Sequence, residues 1–241
     1  RDNFMVWGGL PLVHFASTDF EKLRELRRVV ERGFEPMISN SEQYADTTRV
    51  ELARLHSKEF AYQGLFQKTG VRRRETVNQV IDDLVNHGYL IGRKPLVLEG
   101  DRRSYLTVYS YVDPGIVTYL KGGILTQVDI GSQVEGYVHS RLTLLTQRSP
   151  HKSEIYYYKP YKIGSDNKLK FSSGEIDFIL KCGDVSVPIE AKSSSVRGNI
   201  DTALLRSFIV ANKLRIGVVL YGGAPYWEKE SKILFWPYWM I

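Results

Sequence analysis

Gly174-Glu175-Ile176-Asp177-Phe178-Ile179-Leu180 and, shortly after it, Pro188-Ile189-Glu190-Ala191-Lys192 decide how this 241-residue chain folds. Each is a short apolar run interrupted by a carboxylate, and Lys181-Cys182-Gly183-Asp184 between them has turn composition. The pattern predicts two strands, Ile176–Leu180 and Val185–Ala191, paired antiparallel. Residues two apart on a strand share a face, so Glu190 and Lys192 project together. The hairpin brings Asp177 alongside them. Two carboxylates and an amine in a core sheet are costly unless something compensates them. A divalent cation held by carboxylate oxygens is one compensator. The plainer reading is a Glu190–Lys192 ion pair at a sheet edge, with Asp177 a solvated acid near a turn.

Downstream of this hairpin the pattern predicts a helix over Ile200–Ala211 and strands over Ile216–Tyr221 and Ile233–Trp239. The aromatic tail Leu234–Met240 reads as a core-closing strand rather than a stacking platform. Upstream, Ile155–Tyr161 reads as a strand and Gly164–Asn167 as a turn. A helix is expected over Ser132–Leu145, capped by Ser132 with Glu135 in a capping box. Gly122-Gly123 marks the boundary of this α/β domain, residues 122–241.

Residues 47–121 carry a different order. Val50, Leu52, Ala53 and Leu55 mark one helix, Phe60–Lys68 a second ended by Gly70, and Arg73–His87 a third stopped by Gly88. The third has Val77, Val80, Ile81, Leu84 and Val85 on one face. Tyr89–Leu98 and Ser104–Tyr111 then read as a hairpin, which completes a winged-helix plan. Arg72, Arg73 and Arg74 crowd the start of the third helix, where cations oppose the helix dipole. Arg93, Lys94, Arg102 and Arg103 fall in the hairpin, where a wing meets phosphates. DNA contact is one reading; winged helices also serve as protein-docking modules. Residues 1–46 read as an N-terminal helical segment. Its helix, Asp19–Arg32, is capped by Ser17 or Thr18 and ended by Gly33, and Phe20, Leu23, Leu26 and Val30 form its apolar stripe. Before it, Trp7-Gly8-Gly9-Leu10-Pro11 is a turn.

Composition narrows the classes. Hydrophobic content of 43% and charge of 25% are globular values that argue against disorder. No apolar run reaches the length of a membrane span, and no signal-peptide core follows Arg1-Asp2, so neither membrane nor export is expected. The chain does not open with Met, which suggests a processed product or an excised piece. The single cysteine, Cys182, excludes an internal disulfide and a cysteine-based zinc site, and a cytoplasmic setting is expected. A net charge of +6 is compatible with a polyanion without requiring one.

The pattern Gly-x-Ile-Asp-x-x-Leu, followed 13 residues after Asp177 by Glu190-x-Lys192-Ser193, resembles the PD-(D/E)xK nucleases of the restriction-endonuclease-like fold. More narrowly, the chain looks like the C-terminal region of a prokaryotic AAA+ ATPase family in which a winged helix precedes such a domain. That family opens the nuclease fold with G-x-x-x-E-x-x-V-x-x-x-L. Gly131, Glu135, Val138 and Leu142 match it, and Gly8-Gly9-Leu10-Pro11 is similar to the segment after the ATPase. The resemblance implies a mixed α/β (α+β) chain with an N-terminal helical segment, a winged helix and a nuclease-like domain. It implies Mg²⁺ or Mn²⁺ held by Asp177, Glu190, the Ala191 carbonyl and Glu135, with Lys192 acting on the attacking water and on DNA phosphodiesters. It also implies an AAA+ ATPase domain or subunit as partner. The chain holds no G-x-x-x-x-G-K-[ST] of its own. Arg197 and Arg206 are further candidates for backbone contact. The alternative is a non-catalytic DNA- or protein-binding module on the same scaffold.

Overall fold

The chain is a mixed α/β protein. In the computed structural model the described residues are 2–34, 42–60, 62–97, 106–123, 127–163, 169–171 and 174–241. Arg102, Arg103 and the turn at 164–167 lie outside them. Two compact units emerge, residues 1–92 with 106–140, and residues 93–105 with 141–241.

The first unit contains α1 (Asp2–Trp7), α2 (Pro11–His14), α3 (Asp19–Phe34), α4 (Glu42–Arg54), α5 (Tyr62–Thr69) and α6 (Arg74–Asn86). The start of β1 (Leu90–Pro95), β2 (Val108–Tyr111), α7 (Pro114–Leu120) and the first part of α8 (Gln127–Arg148) complete it. The winged-helix order is present, and one core joins it to the N-terminal segment: Val30 and Phe34 of α3 pack with Leu52, Val77, Leu84 and Ile116. Glu21 completes a capping box on α3, its Oε2 accepting from the Ser17 and Thr18 amides at 3.0 Å while Thr18 Oγ1 accepts from the Glu21 amide at 3.2 Å. Gly33 does not end α3 but lies inside it. A Cβ there would meet the Tyr89 hydroxyl, so this glycine serves close approach rather than termination. Phe20 and Val85, both expected in apolar stripes, are exposed at 75% and 41%. Their helices bury narrower faces than the spacing suggests. The Trp7–Pro11 turn is held by Asp113. Its Oδ2 accepts from the Gly9 amide and its Oδ1 from the Gly115 amide, each at 2.8 Å, so one carboxylate ties the turn to the N-terminus of α7.

In α8 the capping-box expectation fails. The helix begins at Gln127, five residues before Ser132, which is therefore interior. Gly131 there faces open space, and a single glycine costs a helix only about 1 kcal/mol, too little to stop it.

The second unit is built on a mixed sheet. It contains β3 (Ser153–Tyr158), β6 (Ile176–Cys182), β7 (Val185–Ala191), β8 (Gly217–Tyr221), β9 (Tyr226–Glu228) and β10 (Ile233–Pro237), ordered β1-β3-β6-β7-β8-β10-β9. A separate hairpin pairs β4 (Tyr161–Ile163) with β5 (Leu169–Phe171). The β6–β7 hairpin is antiparallel as expected and closes through Gly183-Asp184, with Gly183 at φ 57°. β7 passes through α9 (Ala203–Ala211) to the parallel β8, and β10 lies parallel on its far side. Leu205, Phe208 and Ile209 of α9 pack on Ile179, Val219 and Ile233 of the sheet. The short strands β4, β5 and β9 are absent from the sequence expectation. They carry three residues each, below the length at which alternation is readable.

Candidate active site

At the end of β7 the fold brings three of the expected residues together. Phe178 pairs with Ile189, so Asp177 and Glu190 are the next cross-strand neighbours. Their side chains converge on one cation: Lys192 Nζ donates to Glu190 Oε2 at 2.6 Å and lies 3.6 Å from Asp177 Oδ2. Asp177 is 7% and Glu190 5% exposed. Asp177 is further fixed by the Ala191 amide, which donates to its Oδ2 at 2.7 Å. Lys192 continues the β7–β8 ladder, its amide donating to the Leu220 carbonyl at 2.8 Å. The three side chains open on a cleft of about 500 Å³, also lined by Glu175, Asn199 and Asp201. It lies at the carboxyl end of β7, beside the start of β6 and the loop that leads into α9.

Burial pushes the Glu190 carboxyl up to about 8, and the neighbouring Asp177 charge pushes the same way. Lys192 opposes both by charge and hydrogen bond without cancelling them. The pair therefore carries less negative charge than two carboxylates would. The Lys192 ammonium stands between them, where compensation is needed.

Among the described residues, no three His, Cys, Asp or Glu side chains form a metal-ligand group. Glu135 is half-buried on α8 in the first unit. Ser194, after Lys192, accepts from the Val196 amide and donates to its carbonyl, which makes the serine run a self-bonded loop. Arg206 pairs with Glu228 at 2.9 Å, and Arg197 sits 3.6 Å over the ring of Tyr226.

The winged-helix cations separate into two groups. Arg72, Arg73 and Arg74 are all exposed at the start of α6, with Arg74 over the Tyr62 ring at 4.3 Å. Lys94 is exposed as well. Arg93 corrects the sequence reading. It is 2% exposed, with its guanidinium 4.6 Å over the ring of Phe178. Alternation along β1 turns Arg93 and Pro95 inward and Lys94 outward, so Arg93 is a packing residue and is not presented to phosphate.

Sequence reasoning missed Tyr226, because β9 is too short to register, and Asp201, whose Oδ1 accepts from the Ala203 amide at 2.9 Å. An Asp two residues before an apolar helix was the available signal for the latter.

No protein-family model matches the chain, and no curated protein matches it. Among solved structures it is similar to protein VC1899 from Vibrio cholerae, at 15% identity and a TM-score of 0.35 over 95% of this chain. The chain spans 53% of that protein's length. No helix among the described residues is long and apolar enough to cross a membrane.

Proposed function

We propose that the second unit is a Mg²⁺- or Mn²⁺-dependent nuclease domain that hydrolyses DNA phosphodiester bonds. In this reading the winged helix contacts the DNA and an AAA+ ATPase domain or subunit is the partner. The observation that carries it is the convergence of Asp177, Glu190 and Lys192 in one cleft, with Glu190 held short of its charge. The donor set suits a hard cation: carboxylate oxygens of Asp177 and Glu190, with the Ala191 carbonyl as the further donor proposed. When bound, the metal supplies charge neutralisation at the phosphodiester and acidifies water.

The protein's own part follows from the geometry. The Ala191 amide fixes the Asp177 carboxylate through its Oδ2. Glu190 must lose its proton to serve as a donor, so metal binding at this carboxylate would release a proton. Lys192, once released from Glu190, would orient the attacking water and neutralise the developing oxyanion. Arg72, Arg73 and Arg74 offer an exposed basic surface to phosphates, and Lys94 is a further exposed cation in the second unit.

A second reading has one observation in its favour. Lys192 already neutralises the carboxylate pair, so the cluster can stand as a structural ion triad on a non-catalytic DNA- or protein-binding module. Incubation of the purified chain with single-stranded DNA and with plasmid, in Mg²⁺ or Mn²⁺, separates the two. Cleavage of either DNA by wild type and of neither by Lys192→Ala supports the nuclease; both DNAs left intact by wild type overturns it.

A further inference from the structure

The residues in register across the sheet from the carboxylates are Val219 on β8, Phe235 on β10 and Tyr226 on β9. Glu190 and Tyr226 thus lie on one cross-sheet row. Three strand spacings of about 4.8 Å place their backbones about 14 Å apart. Tyr226 is 44% exposed, and the exposed Arg197 sits on its ring at 3.6 Å and within 5.9 Å of the Phe235 ring.

Arg197 is placed by the same loop that leaves the cleft, a few residues after Lys192. That loop is tied to the end of β8 by the Gly222 amide, which donates to the Ser194 carbonyl at 2.8 Å. Gly223 lies so close to the Ser195 carbonyl that a Cβ there would meet it at 2.6 Å. The guanidinium is therefore held in a defined position beside the cleft, with an aromatic ring beneath it and solvent around it. Among the described residues it makes no ion pair. The nearby Glu228 is neutralised by Arg206, so it does not set a bare negative charge against a polyanion. Trp227 projects to the other face of β9 and takes no part.

We propose that the cleft takes a single-stranded polynucleotide, one base of which stacks on Arg197 where it rests on Tyr226. This rests on the nuclease reading of the cleft and names its substrate class. A guanidinium on an aromatic ring offers a base a flat cationic surface, as in proteins that bind single strands without sequence preference. In an intact duplex the bases are stacked on one another and cannot reach such a platform. A few nucleotides then span the distance between the platform and the carboxylates.

The test is fluorescence anisotropy of a labelled oligothymidylate and of a duplex of equal length, in EDTA so that nothing is cleaved. Arg197→Ala should weaken single-strand binding about 5- to 150-fold, the range for one stacked base, and leave duplex binding within about twofold. Arg197→Lys should be nearly as weak, because it keeps the charge and loses the plane. Tyr226→Leu, which preserves an apolar edge, should lose affinity in parallel. Unchanged single-strand affinity in Arg197→Ala, or full affinity in Arg197→Lys, overturns the proposal. Because no metal is present, the two readings fail separately. Loss of single-strand binding in Arg197→Ala, with neither single-stranded DNA nor plasmid cleaved by wild type in Mn²⁺, removes the nuclease and keeps the platform. Cleavage with single-strand binding indifferent to Arg197 does the reverse.

Discussion

Replacing Glu190 by Gln removes a titrating group and changes little else in shape. In the folded protein the Glu190 carboxyl ionises near about 8, against an ordinary 4.5. Below pH 4.5 both folded and unfolded chains hold the proton, and Glu190 contributes no pH dependence. Between pH 4.5 and 8 the unfolded chain releases the proton while the folded chain keeps it, so stability falls as pH rises. Above pH 8 both are ionised and the loss is complete. At about 1.4 kcal/mol per pH unit, that window is worth a few kcal/mol to the second unit. Gln cannot ionise, so Glu190→Gln should flatten this slope and be several kcal/mol more stable than wild type at pH 8 without metal. Lys192 keeps Asp177 as a partner in the variant. Urea melts from pH 4 to 9 in EDTA, followed by tryptophan fluorescence, read this unit well because Trp227, Trp236 and Trp239 all lie in it. Parallel stability curves for the two proteins would refute the claim that Glu190 is held protonated.

Three further outcomes are expected. Mn²⁺ at a hundredfold excess over its dissociation constant should stabilise wild type by about 2.7 kcal/mol, and Asp177→Asn should abolish that shift; superimposed thermal melts of wild type with and without Mn²⁺ would remove the metal site. Replacing Arg72, Arg73 and Arg74 with Glu should weaken duplex binding and lower the salt slope by about 0.9 for each phosphate no longer neutralised, whereas unchanged affinity would reassign the winged helix to protein contacts. Gly33→Ala should destabilise the first unit despite a helix-propensity gain of about 1 kcal/mol, and Tyr89→Phe should relieve part of that effect; additive effects in a double-mutant cycle would refute the contact between them.

The β6–β7 hairpin was legible because its signals agree. Two apolar runs, a Gly-Asp turn and a strand period of two leave one register, and that register puts Asp177 opposite Glu190. The i, i+2 spacing of Glu190 and Lys192 then requires them to share a face. Long-range contacts were not legible in the same way. Gly33 has the composition of a helix stop, and only the tertiary approach of Tyr89 shows that it is a spacer. Gly131-Ser132 has the composition of a cap, yet nothing packed near Gly131 interrupts α8. Arg93 is a cation in a wing by sequence. Its burial follows from the pleat of β1 and the ring of Phe178, a residue 85 positions away. The same limit hid the platform. Arg197 and Tyr226 are 29 residues apart and meet only because β9 returns to the sheet beside β10. Local pattern thus reaches as far as residues linked by one turn, which here includes the whole Asp177, Glu190 and Lys192 cluster. What lies along the sheet from that cluster depends on strand order, and strand order is set by packing that no single segment encodes.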